Sequence, residues 1–188
     1  SDASNGTASI DAAGAWTYVP NQHFNGSDSF TVKVTDDDDH EETQVITLTV
    51  DPVNDDPTLD ALSDVNINED AGEQTVNLTG IATGGSEVQQ LRVTATSNNT
   101  GLIPDPTVTY SSADPTGTLA FTPVADQFGT ATVTVTVEDG GLDNNLATPG
   151  DNATTTQTFD VTVNPVNDVP TLDALSDISI NEDAGEQT

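Results

Sequence analysis

The chain repeats itself, and that property constrains its fold more than any other. The segment PTLDALSDVNINEDAGEQT from Pro57 to Thr75 returns as PTLDALSDISINEDAGEQT from Pro170 to Thr188, differing only at Val65/Ile178 and Asn66/Ser179. A matching linker precedes each copy, VDPVNDD from Val50 and NPVNDV from Asn164. The period is therefore 113 residues, from position 57 to position 170. Self-similarity at a fixed spacing is the mark of a tandem array, and this spacing is the size of one small domain.

The period sets the register of the whole chain. Residues 57–169 read as one complete repeat, residues 1–56 as the rear half of the preceding repeat, and residues 170–188 as the start of a third, an excerpt from a longer array. The rear halves align: Tyr18-Val19-Pro20 matches Phe121-Thr122-Pro123, and Thr43-Gln44 matches Thr156-Gln157. Between those two anchors the complete repeat gains residues, so the loop joining its last two strands is expected to be the longer one.

Within the complete repeat the hydrophobic pattern has period two and no 3.6-residue component. It predicts strands at Val65–Ile67, Thr75–Leu78, Leu91–Thr96, Thr107–Tyr110, Thr118–Thr122, Thr130–Val137 and Thr156–Val163. In Thr130–Val137, Ala131, Val133, Val135 and Val137 share one face and the threonines the other. The rear half contributes Thr7–Ile10, Trp16–Val19, Phe30–Val34 and Val45–Val50. Short, Thr-rich strands separated by Gly, Pro, Asn and Asp predict an all-β, Ig-like Greek-key sandwich in each repeat. Helical bundles, Rossmann folds and coiled coils do not fit this pattern.

Charge excludes further classes. Two basic residues, Lys33 and Arg92, stand against 32 Asp and Glu, a formal net charge of −30. Nucleic acid is therefore not an expected partner, because phosphate binding needs basic groups. No apolar run is long enough to span a bilayer, so membrane insertion is not expected either. A surface this acidic repels itself and leans on cations or salt for screening. The absence of Cys removes disulfides, thiol nucleophiles and thiolate metal sites together.

Several motifs resemble the bacterial cadherin-like repeats of giant calcium-dependent surface adhesins. They are the linkers at Asp51–Pro57 and Asn164–Pro170, the Asn-Glu-Asp triplets beginning at Asn68 and Asn181, and the series Tyr18-Val19-Pro20, Phe24-Asn25-Gly26, Asp28-Ser29-Phe30. The resemblance implies an extracellular or cell-surface extender, with Ca²⁺ held where one repeat passes to the next. It implies Asn54, Asp55 and Asp56 of the linker, with Glu87 and Asp139 of the following domain, as ligands at the first junction. At the second it implies Glu69, Asp70, Asp126, Asn167 and Asp168.

In an Ig-type sandwich the loop after the first strand lies where the chain leaves the domain, which places Glu69 near Asp168 rather than near Asp55. Calcium takes 6–8 oxygens, and carboxylates with Asn and backbone carbonyls supply them. The linkers read Asn-Asp where the cadherin pattern has a longer acidic motif, and the loop before the sixth strand keeps only Asp126, so fewer ions per junction are expected. Asn54 and Asn167 fit equally as turn-shaping residues. The run Asp36 to Glu42 lacks the Gly and spacing of an EF-hand and reads first as a solvated face.

The expected partners are adjacent repeats of the same chain, with like chains in a filament or matrix, or a polysaccharide, as alternatives. Enzymatic activity is not expected, since His23 and His40 are the only histidines and no nucleophile motif accompanies them. Trp16, which could serve a sugar platform, heads a strand and reads first as core. Isopeptide cross-linking in the complete repeat is excluded, because no Lys follows Lys33.

Overall fold

The structure, a computed structural model, describes residues 2–85 and 87–186. All regular elements among them are strands. In the complete repeat these are β5 (Val65–Asn68), β6 (Gln74–Leu78), β7 (Leu91–Ser97), β8 (Thr107–Thr109), β9 (Gly117–Phe121), β10 (Gly129–Asp139) and β11 (Thr154–Asn164). One sheet runs in the order β5-β11-β10-β7 and the other β6-β9-β8, the two layers of an Ig-like sandwich. A lone antiparallel bridge, Thr58 to Ala82, ties the segment before β5 to the opposite sheet.

Alternation decides which side chains fill the space between the layers. Ala131, Val133, Val135 and Val137 of β10 are buried, as are Phe159, Val161 and Val163 of β11, while the threonines between them are not. Leu78, Leu119 and Phe121 meet them from the other sheet, and Leu59, Leu102 and Ile103 from outside the strands belong to the same core. Strand β5 pairs in parallel with β11, Val65 opposite Val161 and Ile67 opposite Val163. Parallel pairing brings the C-terminal ends of the first and last strands to the same end of the sandwich, here called the trailing end.

The rear-half unit forms two hairpins, β1 (Gly6–Ile10) with β2 (Trp16–Pro20), and β3 (Gly26–Thr35) with β4 (Glu41–Val50). These correspond to β8 to β11. The β3–β4 loop spans residues 36–40 and the β10–β11 loop residues 140–153, so the latter is the longer. Asp28 is the polar hub of this unit. Its carboxylate accepts from the Ser4, Asn5 and Ser29 amides and from the Tyr18 hydroxyl. In the complete repeat the corresponding positions hold Phe121 and Ala131, an apolar solution to the same packing.

Trp16 departs from the expected burial. It is 46% exposed and touches Phe30 edge-on, with ring centroids 5.6 Å apart. Its counterpart by the Tyr18/Phe121 alignment is Leu119, which is fully buried. The indole thus lies on the inward face of its hairpin, and no described strand covers it.

Candidate metal centres at the junctions

At the trailing end of the complete repeat, three carboxylates converge. One oxygen each from Asp70, Asp126 and Asp168 lies within 4.8 Å of the other two, and all three residues are exposed. Asp70 follows β5 in a turn closed by Ala71 N donating to Asn68 O, and its φ of 61° turns the chain sharply. Asp126 sits in the β9–β10 turn at φ 58°, closed by Gln127 N donating to Val124 O. Its amide donates to Asp70 Oδ1 at 3.2 Å, which joins the two loops. Asp168 arrives from the linker after β11. Partial desolvation by the neighbouring loops first, then the charges of Asp126, Asp70 and Glu69, push its carboxyl above the usual range.

Glu69 is buried beneath this cluster. Its amide donates to Asn164 O at 2.8 Å, and its Oε1 accepts from Val166 N at 2.6 Å, so it fastens the outgoing linker to β5. Asn167 is exposed and donates to the Asp168 carbonyl. Asn164, which sequence reasoning passed over, donates to Asn66 Oδ1 and to the Ile67 carbonyl and so locks the strand ends.

The leading end of the complete repeat is organised around Asn54. Its amide donates to both Asp139 oxygens at 3.2 Å and to the Asp151 carbonyl at 3.1 Å, and its Oδ1 accepts from Gln89 Nε2 at 2.6 Å. Asp139 is fully buried, and its Oδ1 also accepts from the Gly141 and Ala153 amides at 2.9 Å. Asp36 binds the Asp38 and His40 amides in the same way, so one turn design closes both final hairpins. The Asp36 to Glu42 run is exposed throughout.

Asp55 and Glu87 meet over Gly85, where an added Cβ would collide with both carboxylates. Asp56 is exposed, and its carbonyl packs against Gly84, which holds φ 91°. Glu87 Oε2, Gln89 Oε1 and Asn152 Oδ1 are buried oxygens without a hydrogen-bond partner. Acceptors left in this state want a positive or donating group, and an oxygen-binding cation satisfies them. Among the described residues, the three carboxylates of the trailing end lie close enough together to hold a metal ion, whereas the leading end brings together two, Asp55 and Glu87.

Sequence reasoning also missed His23. By the Tyr18/Phe121 alignment it occupies the place of Asp126, and its φ of 59° matches the 58° there. Asp55 is likewise the counterpart of Asp168, and His23 Nδ1 lies 2.8 Å from Asp55 Oδ2. The trailing end of the rear-half unit thus carries an imidazole and a carboxylate where the complete repeat has two carboxylates. The equal offset of His23 and Tyr18 from their counterparts was the available signal.

Residues 1–52 match the bacterial cadherin-like domain. No curated protein sequence matches the chain. Solved structures resemble it in outline. Domains 1–6 of the surface layer protein SbsC align at TM-score 0.40 and 19% identity, over 89% of this chain and 20% of that one. An endo-fucoidan hydrolase of glycoside hydrolase family 107 aligns at TM-score 0.37 and 20% identity, over 87% and 22%. The chain spans about a fifth of the length of each. The cadherin-like match covers the rear-half unit, where the Tyr18–Asp28 hydrogen bond is found.

Proposed function

We propose that the chain is part of a surface or secreted bacterial protein in which sandwich repeats act as an extender, stiffened by calcium at their junctions. Residues 57–169 are the repeating unit of that extender, and the chain performs no catalysis. The convergence of Asp70, Asp126 and Asp168 at the end where the linker leaves carries the reading. Glu69 holds the linker in place, so a cation bound by the three aspartates would join the sandwich to the chain leading into the next unit. At the leading end, Asp55 and Glu87 would hold the ion, while Asn54 and Asp139 keep the linker seated and Asp56 adds to the acidic rim; at the trailing end Asn167 stands beside Asp168 in the outgoing linker. When bound, calcium supplies positive charge that turns mutual repulsion into a shared attraction.

The test is calorimetric melting of the 188-residue chain in calcium and in chelator. We expect calcium to raise the transition of the complete repeat by roughly 5–10 °C at saturation. Asp168→Ala or Glu69→Ala should shrink that rise. An identical transition with and without calcium rules the reading out.

A further inference from the structure

The turn that carries Asp126 has a double in the rear-half unit. Phe24 N donates to Asn21 O at 3.1 Å as Gln127 N donates to Val124 O at 3.3 Å, and His23 holds φ 59° where Asp126 holds 58°. In both turns the side chain at that position meets the outgoing linker. Asp126 and Asp168 bring their oxygens within 4.8 Å, and His23 Nδ1 stands 2.8 Å from Asp55 Oδ2. One ligand atom has changed from oxygen to nitrogen.

A second carboxylate reaches the same Asp55 oxygen. A Cβ added at Gly85 would collide with Asp55 Oδ2 and Glu87 Oε2 together, so those two oxygens flank one point. Glu87 Oε2 is buried and has no hydrogen-bond partner. His23, Asp55 and Glu87 line one cavity of about 430 Å³, walled by the His23 turn, the linker and the loop before β7. An unsatisfied acceptor beside a carboxylate and an imidazole is a donor set for a cation.

The nitrogen decides which cation. Calcium and magnesium take oxygen ligands, whereas imidazole suits zinc and its neighbours, which accept mixed nitrogen and oxygen sets. Two ligand atoms that each lie about 2.0–2.2 Å from one zinc stand roughly 3 Å apart. The His23–Asp55 separation of 2.8 Å matches that spacing.

We propose that His23 Nδ1, Asp55 Oδ2 and Glu87 Oε2 bind a divalent transition metal of the zinc class at the first junction. This rests on the reading of the leading end as an ion site and changes its preferred occupant. Calcium is held there only where no such metal competes, while the all-oxygen set of Asp70, Asp126 and Asp168 stays a calcium site. Successive junctions of one array then answer to different ions.

Zinc titrated calorimetrically into the 188-residue chain in excess calcium tests this, with proton NMR of the two histidine rings read alongside. The expected result is one zinc bound per chain, with the His23 ring resonances shifting and those of His40 holding still. His40 is the control, because its Nδ1 lies 3.3 Å from Asp36 Oδ2 in an exposed loop. His23→Gln should weaken zinc by about tenfold or more, and His40→Gln should not. His23→Asp, which copies the trailing-end set, should lose zinc and bind calcium more tightly. Zinc that binds His23→Gln unchanged, or that follows His40, overturns the proposal, and so does excess calcium that leaves no zinc bound. An unchanged melting point in calcium, with zinc binding intact, sinks the stiffening role alone.

Discussion

Two aspartates respond to acid in opposite senses. Burial alone would raise the Asp28 carboxyl, but hydrogen bonds from the Asn5 and Ser29 amides, the Tyr18 hydroxyl and the Ser4 amide outweigh it and hold it below the usual range. A lowered folded value means that Asp28 contributes stability above the ordinary carboxylate range, which is lost as pH falls through the folded value. Asp168 is raised, so without a cation its ionisation costs stability that sets in as pH climbs from the ordinary carboxylate value to the folded one. In chelator, Asp168→Asn should therefore raise the neutral-pH melting point, and in calcium it should lower it. A change of the same sign in both buffers would contradict that account. For Asp28, circular dichroism of the Asp28→Ala variant should show a melt lowered by several degrees. The Tyr18→Phe/Asp28→Ala pair should recover part of the loss, because the complete repeat uses Phe121 and Ala131 there.

At the scale of elements, the fold is an alternation pattern made solid. Every strand of the sandwich was legible in the sequence, because Val and Thr alternating between Gly, Pro and Asp turns leave the pleat little choice of face. Strand ends were less legible: β10 runs on to Asp139, whose backbone is held by the Ala153 carbonyl from across the loop. The gathering of Asp70, Asp126 and Asp168 agrees with what parallel pairing of β5 and β11 requires. The Asn54–Asp139–Gln89 network was not legible as bonding, since residues 85 positions apart meet only through the folded loop. Trp16 misled for a related reason: alternation gives its face, but not whether a strand lies over it. Leu119, fully buried at the centre of the smaller sheet, offers a direct check on the core. Leu119→Ala should cost about 2–5 kcal/mol in urea unfolding of the complete repeat. Gly85→Ala should leave that core intact while separating Asp55 from Glu87, and so weaken calcium binding measured by titration calorimetry.

For the whole molecule, a net charge of −30 makes the solvent part of the structure. Screening shortens from about 30 Å at 0.01 M salt to about 3 Å at 1 M, so sodium chloride alone should raise the melting point over that range. Millimolar calcium should raise it further than sodium chloride of equal ionic strength, and equality between the two would leave only diffuse screening. The parallel placement of β5 beside β11 has one more consequence. If the array is tugged from both termini, the first strand is drawn one way and the last the other, along their common axis. Their ladder is then sheared, with its bonds sharing the load together, rather than peeled apart rung by rung.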